Sequence, residues 1–442
     1  MSNNKNQIGL LQATSIAVGT MIGASIFSIF GLGAHIAGQN LPLVFVISGA
    51  VALLVAYSYA LMGSKIISNA GPMEFILQGF GDNLLTGALS FLFWMSYVVS
   101  ISLFAKGFAG YLLPLLPFET NGIIQAAIEI GVVLLFMLLN LAGSERVGKV
   151  EFLIVGVKLA ILGLFVGLGL STVQVGRVIP QLDIHHVEQT LNGTAVFFLA
   201  YMGFGLITNA SEHMRDPERN VPRAIYLSIF IVSLVYILVS VVAVGNLPLP
   251  VLIKAQDFAL AEAAKPFLGH WGYLLVSVGA LFSIASALNA TLYGGANIAY
   301  ALARDGELPS MFQRKSWFQA PEGLYITVVL SLFFTLLLNL NGIASVTSAV
   351  VMVIYLFVLA AHYRLVARCG GRPAIIIMGF ILILGVFAAL MIYLWQTNRL
   401  SFWATWATLA GSVVVEGIYR FKTGRELLVR ELETLAHIIR IY

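Results

Sequence analysis

Charged residues are scarce in this chain. Asp, Glu, Lys and Arg make up 10% of its 442 residues, against about 25% in an ordinary soluble domain, so a water-facing surface on every side is excluded. Cysteine is scarcer still. Cys369 is the single one, which rules out an intramolecular disulfide and any thiolate cluster for zinc or iron–sulfur. The seven histidines include one adjacent pair, His185 and His186, and neither His-Glu-x-x-His nor Gly-x-Ser-x-Gly occurs. Metal-dependent or serine-hydrolase chemistry has no sequence basis. No filter motif or row of intramembrane acids suggests a channel, and no soluble segment suggests the output domain of a sensor. The expectation is a protein that is not an enzyme, uses no metal or cofactor and binds no nucleic acid.

Apolar residues are what the chain does have: 59% hydrophobic residues and a mean hydropathy of +0.93 describe an all-α polytopic membrane protein. With about 20 apolar residues per span, twelve helices are expected near 8–37, 41–67, 84–113, 121–143, 149–172, 190–210, 221–245, 271–303, 323–340, 343–366, 373–396 and 401–421. The opening "MSNNKNQ" leads directly into the first of them, so no signal peptide is expected. One alternate set of loops and termini, from Lys5 and Lys65 to Arg440, holds 18 of the 24 Lys and Arg. The other set holds four, Arg177, Lys254, Lys265 and Arg399. Positive charge stays inside, so both termini are expected in the cytoplasm of a cell whose inner membrane holds the chain. The net charge of +4 follows from that topology. The connection 246–270 is too polar to span and suits a short surface helix, and the cytoplasmic tail 422–442 suits an interfacial or packing helix.

Two spans carry glycine near their middles. "VGTMIGASIF", residues 18–27, has Gly19 and Gly23, and "FFLAYMGFGLIT", residues 197–208, has Gly203 and Gly205. Glycine costs about 1 kcal/mol in a helix and permits open backbone, but membrane helices also use it for close packing. The pair says more than either cluster. The two spans are the first and the sixth, so two groups of five lie inverted, and interrupted helices at matching places point to a midplane site in a secondary transporter. A broken helix offers free N–H groups to a carboxylate and free carbonyls to an ammonium. A zwitterionic amino acid fits both.

These residues are familiar. "GTMIGASIF" resembles the first-helix signature of the amino acid, polyamine and organocation (APC) superfamily. "YMGFGLITNASEHMRDPERNVPRAI", 201–225, resembles its sixth-helix signature and the loop after it, and "NIAYALARDGELP", 297–309, resembles its stretch leaving the eighth helix. The resemblance runs over essentially the whole chain and is strongest to proton-coupled, broad-specificity amino-acid transporters, in which a fifth-helix lysine stands where sodium-driven relatives hold a cation. It implies a LeuT-like 5+5 inverted repeat, residues 1–172 and 190–366, followed by helices eleven and twelve over 373–421. It implies that the substrate carboxylate meets the amides of Gly23, Ala24 and Ser25, that its amino group meets the carbonyls of Met21, Leu199 and Met202, and that Phe198 and Tyr201 close over it. Two departures matter. The first helix reads Gly-Ala-Ser where Gly-Ser-Gly is usual, and Gly205 stands where many relatives carry an acid, which argues against cationic substrates and antiport.

Lys158 matches the fifth-helix lysine. Thirteen Leu, Ile, Val or Phe in 152–170 contribute roughly −4 to −8 kcal/mol to insertion, so the span tolerates one central lysine at about +3. At about 14 Å from the start of the span it is too deep to reach the headgroups, whereas Lys106, nearer an end, is expected to bend toward them. A structural lysine pinning two helices is one reading of Lys158. The other is a tethered cation between the first and eighth spans, facing the Gly19 carbonyl and the hydroxyl of Ser283 or Ser286. Desolvation brings a lysine toward titration at neutral pH, so the second reading predicts uptake of neutral L-amino acids coupled to protons. Sodium-coupled symport and amino-acid exchange are the alternatives.

Overall fold

With water excluded, a backbone in such apolar runs must bond to itself, and the computed structural model, which describes residues 8–119, 121–141, 147–304, 308–315 and 321–423, is helical. Among the described residues there is no strand, only the isolated bridges Ile8 to Met214 and Lys315 to Pro321. Nine helices among them are long and apolar enough to cross a membrane. In chain order the helices are α1 (Leu10–Met21), α2 (Ala24–Phe27), α3 (Phe30–Ala37), α4 (Leu41–Lys65), α5 (Pro72–Phe80), α6 (Leu84–Leu112), α7 (Gly122–Leu141), α8 (Val147–Gly169) and α9 (Ile184–Phe197). A 3₁₀ segment, Phe198–His213, continues from α9. Then come α10 (Pro217–Asn246), α11 (Leu249–Ala255), α12 (Ala259–Arg304), α13 (Glu322–Leu337), α14 (Leu340–Arg364), the single turn α15 (Val366–Cys369), α16 (Pro373–Thr397) and α17 (Arg399–Thr423).

Several expected elements differ in the structure, each for a local reason. The first span is three helices, because the chain leaves helical geometry at Ile22 (φ −84°, ψ 68°) and again before Phe30. The sixth begins at 184 rather than near 190. Asp183 caps it by accepting the His186 amide at 3.2 Å, a bond that holds the Asp183 carboxyl below the usual carboxylate range. The loop 66–83 contains the helix α5, opened by Gly71 at φ 57° followed by Pro72. The next helix after the 3₁₀ segment starts at Pro217 rather than near 221.

The connection 246–270 is not a surface helix. Its α11 and the first part of α12, up to the break at Gly269 (φ 62°), are seated in the bundle, with Ala259, Leu260, Ala261, Ala263 and Ala264 fully buried. Two glycines make the sockets. A Cβ at Gly31 of α3 would lie 2.2 Å from the Gln256 carbonyl oxygen, and one at Gly110 of α6 would lie 2.5 Å from Asp257 Cβ. This hairpin packs against α3 and α6.

Lys106 does not bend to the headgroups either. It pairs with Glu129 of α7 at 3.3 Å, and the side chains are 13% and 3% exposed. Gln125 donates to the same carboxylate at 2.8 Å, so two charges that would each be costly alone are matched within the bundle. The tail from 424 onward, with Arg425, Arg430 and Arg440, lies outside the described residues, as do Lys5 and Arg146.

Candidate functional site

The break between α1 and α2 leaves carbonyls at the end of α1 without the helical partners they would otherwise have, and two of them face Lys158. Its Nζ donates to the Gly19 carbonyl at 2.6 Å and to the Ile22 carbonyl at 3.0 Å. The side chain comes from α8 and is 1% exposed. Ser283 of α12 donates to the same Ile22 carbonyl at 2.8 Å, so one oxygen joins α1, α8 and α12. Ser286, buried, stands one turn along α12. The sequence points to the Gly19 carbonyl and not to that of Ile22, although every carbonyl in the last turn of a broken helix is a candidate acceptor. A buried amine needs such partners, and an ammonium brings three donors to them.

On the other side of the break the oxygens outnumber the protons. Ser25 Oγ and Tyr236 Oη, from α10, both donate to the Met21 carbonyl. They also lie 3.0 Å from each other, and Tyr236 Oη reaches the Ala200 carbonyl of the 3₁₀ segment at 3.3 Å. Four oxygens thus share the two hydroxyl protons that Ser25 and Tyr236 supply. A group with several N–H donors and no acceptor would complete the set. Tyr236 was missed because α10 reads as an ordinary apolar span. Its only signal is that a buried tyrosine hydroxyl needs a partner.

The two interrupted segments touch as closely as glycine allows. A Cβ at Gly203 would lie 2.8 Å from Met21 Cγ, 3.0 Å from the Met21 amide nitrogen and 3.2 Å from the Ala17 carbonyl oxygen. Backbone cannot yield as a side chain can, so Gly203→Ala is expected to lower stability by about 1–3 kcal/mol. The midpoint of thermal unfolding in detergent reads this, and an unchanged midpoint would show that the segments sit further apart.

Beside these segments lies a cavity running from Ser25 toward Pro72 of α5 and Tyr97 of α6. Of the residues expected to bind substrate, Ser25, Leu199 and Met202 line it. Met21, Gly23 and Ala24 stand at the break itself, where a Cβ at Gly23 would be 3.1 Å from the Phe104 ring. The Met202 carbonyl accepts from Tyr355 Oη at 3.1 Å. Phe198 and Tyr201 are not brought to the cavity wall. Phe198 packs edge-on against Tyr355, and Tyr201 donates to the Phe45 carbonyl of α4 at 2.9 Å. Among the described residues, no group of three or more His, Cys, Asp or Glu is placed to hold a metal.

The family model described as amino acid permease matches residues 8–417. An uncharacterised protein of Methanocaldococcus jannaschii is 58% identical over 96% of this chain and 98% of its own length. The inner membrane transport protein YbaT of Escherichia coli (strain K12) is 33% identical, over 96% of this chain and 98% of its own. The branched-chain amino acid permease BcaP of Lactococcus lactis is 24% identical, over 80% and 81%.

Proposed function

This chain belongs to the amino acid permease family, and from that premise we propose that it imports neutral L-amino acids together with protons, by alternating access. It is an integral, multi-pass membrane transporter and not an enzyme. The observation that carries the finer reading is the pair of donor-poor and donor-rich places at one break. Met21, Ala200, Ser25 and Tyr236 present oxygens with too few protons, which suits the substrate ammonium. The amides of Gly23, Ala24 and Ser25 at the start of α2 suit its carboxylate. Lys158 closes the opposite side with a charge of its own.

In this reading the fold is the 5+5 inverted repeat with two further helices, twelve spans in all, and α1 to α3 and α9 with the 3₁₀ segment are its broken first and sixth spans. The termini are cytoplasmic by the excess of Lys and Arg on that side. The hairpin over Gly31 and Gly110 then closes the outer face, while the cavity extends inward. Protonated Lys158 ties α1 to α8 and holds the substrate-competent arrangement. Loss of its proton toward the cytoplasm removes that tie, frees the inner half of the first span and lets substrate leave. A proton gradient thereby drives accumulation.

Uptake of a panel of labelled amino acids into proteoliposomes, with sodium and pH varied independently, tests this. Uptake that follows the pH gradient and ignores sodium is the expected result. A sodium requirement, or transport only against an internal amino acid, would replace proton coupling by symport or exchange.

A further inference from the structure

The cavity beside the break is walled by hydroxyls that already have a hydrogen-bond partner, with two exceptions. Thr20, Ser96 and Ser100 each donate to a carbonyl of their own helix, at 2.9, 2.6 and 2.7 Å. Tyr355 donates to the Met202 carbonyl, and Tyr97 accepts from Asn209 Nδ2 at 3.0 Å. Tyr59 of α4 and Thr291 of α12 also line the cavity, and among the described residues neither hydroxyl has a hydrogen-bond partner. Both residues are more than nine-tenths buried, Tyr59 at 1% exposure and Thr291 at 8%. A buried phenol normally finds a partner, so an unpaired one that faces a cavity is directed at whatever fills it.

The ring of Tyr59 is held from several sides. Phe204, Tyr355 and Phe75 meet it edge-on, with centroids at 5.3, 5.4 and 6.0 Å. Gly205 leaves a further side open, since a Cβ there would come 3.3 Å from Tyr59 Cε1. No charged side chain lines the cavity among the described residues. A rigid ring with a free hydroxyl in uncharged surroundings can tell a side chain that carries a hydrogen-bonding group from one that does not.

We propose that Tyr59, with Thr291, reads the substrate side chain and selects neutral amino acids bearing an amide or hydroxyl over aliphatic ones of the same shape. This deepens the reading of the chain as an amino-acid importer and rests on it. Water satisfies the phenol in the empty cavity. An asparagine or threonine side chain replaces that water with an equivalent hydrogen bond, whereas leucine or valine displaces it and leaves the phenol unpaired.

The test uses two isosteric pairs, asparagine with leucine and threonine with valine, as labelled substrates of the reconstituted full chain. The expected result is a preference of about tenfold in Vmax/KM for the polar member, and its collapse to about one in Tyr59→Phe. A preference that survives Tyr59→Phe, or its absence from the wild type, overturns the proposal and leaves the hydroxyl with bound water only. Should Tyr59→Phe lose uptake altogether, thermal stabilisation of the purified protein by each amino acid gives the same ratio without turnover. Wild-type protein that transports and binds none of the four would instead overturn the importer reading on which the proposal stands.

Discussion

Lys158→Ala abolishes uptake driven by a pH gradient while leaving the protein folded enough to purify: that is the largest effect expected of any single substitution here. The lysine's ammonium donates to two carbonyls, of Gly19 at 2.6 Å and Ile22 at 3.0 Å. Charge-assisted bonds of this kind contribute about 1.5–3 kcal/mol each, so the substitution removes roughly 3–6 kcal/mol of attachment between α1 and α8. Ser283 still holds Ile22 at 2.8 Å, which is why the fold is expected to persist. Proteoliposomes separate the consequences. With a proton gradient imposed, accumulation falls to the level of empty vesicles. With unlabelled amino acid trapped inside and no gradient, exchange continues at a reduced rate. Lys158→Gln keeps a donor but has no proton to release, so it is expected to exchange better than Lys158→Ala and to concentrate substrate no better. Full concentrative uptake by Lys158→Ala would leave the lysine as a pin between helices, with coupling elsewhere.

Much of this arrangement was legible in the sequence because membrane insertion makes unusual residues conspicuous. A lysine at the centre of an apolar run has to face something polar, and Gly19 and Gly23 in the first span mark where free carbonyls would be. The structure adds partners that no local pattern announces. Ile22 looks like any lipid-facing isoleucine, yet the break turns its carbonyl toward both Lys158 and Ser283. Lys106 and Glu129 sit 23 positions apart on α6 and α7, and nothing in either run shows that the helices face each other there. The family resemblance places Phe198 and Tyr201 over the substrate, whereas in the structure neither lines the cavity. A 3₁₀ segment advances about 120° per residue, not 100°, so positions counted along an α-helical face point elsewhere, here into α4 and α14. The hairpin over Gly31 and Gly110 departs from the expected surface helix for a related reason. Its polarity excludes a span but says nothing of whether glycines elsewhere have left room for it.

Tyr236→Phe is expected to raise the apparent KM for every neutral amino acid by about tenfold, or about 1.4 kcal/mol, with a smaller change in maximal rate. The hydroxyl bonds to the Met21 carbonyl and reaches the Ala200 carbonyl at 3.3 Å, so one side chain from α10 fixes the spacing of both interrupted segments. Phenylalanine keeps the ring contacts with Phe45 and Tyr201, at 5.1 and 5.6 Å, and removes only that oxygen. The Met21 carbonyl then retains Ser25, the Ala200 carbonyl loses its contact with α10, and the segments are free to drift apart until substrate reassembles them. Binding has to supply that ordering, which weakens it by an amount typical of a buried hydrogen bond. The opposite result has an equally definite meaning. If KM falls in Tyr236→Phe, the hydroxyl is a competitor that the substrate ammonium must displace from Met21 before it can bind. Because the loss falls on a place contacted by the shared zwitterion, asparagine and leucine are expected to suffer alike. That equality separates this residue from Tyr59, whose removal changes the ratio between the two.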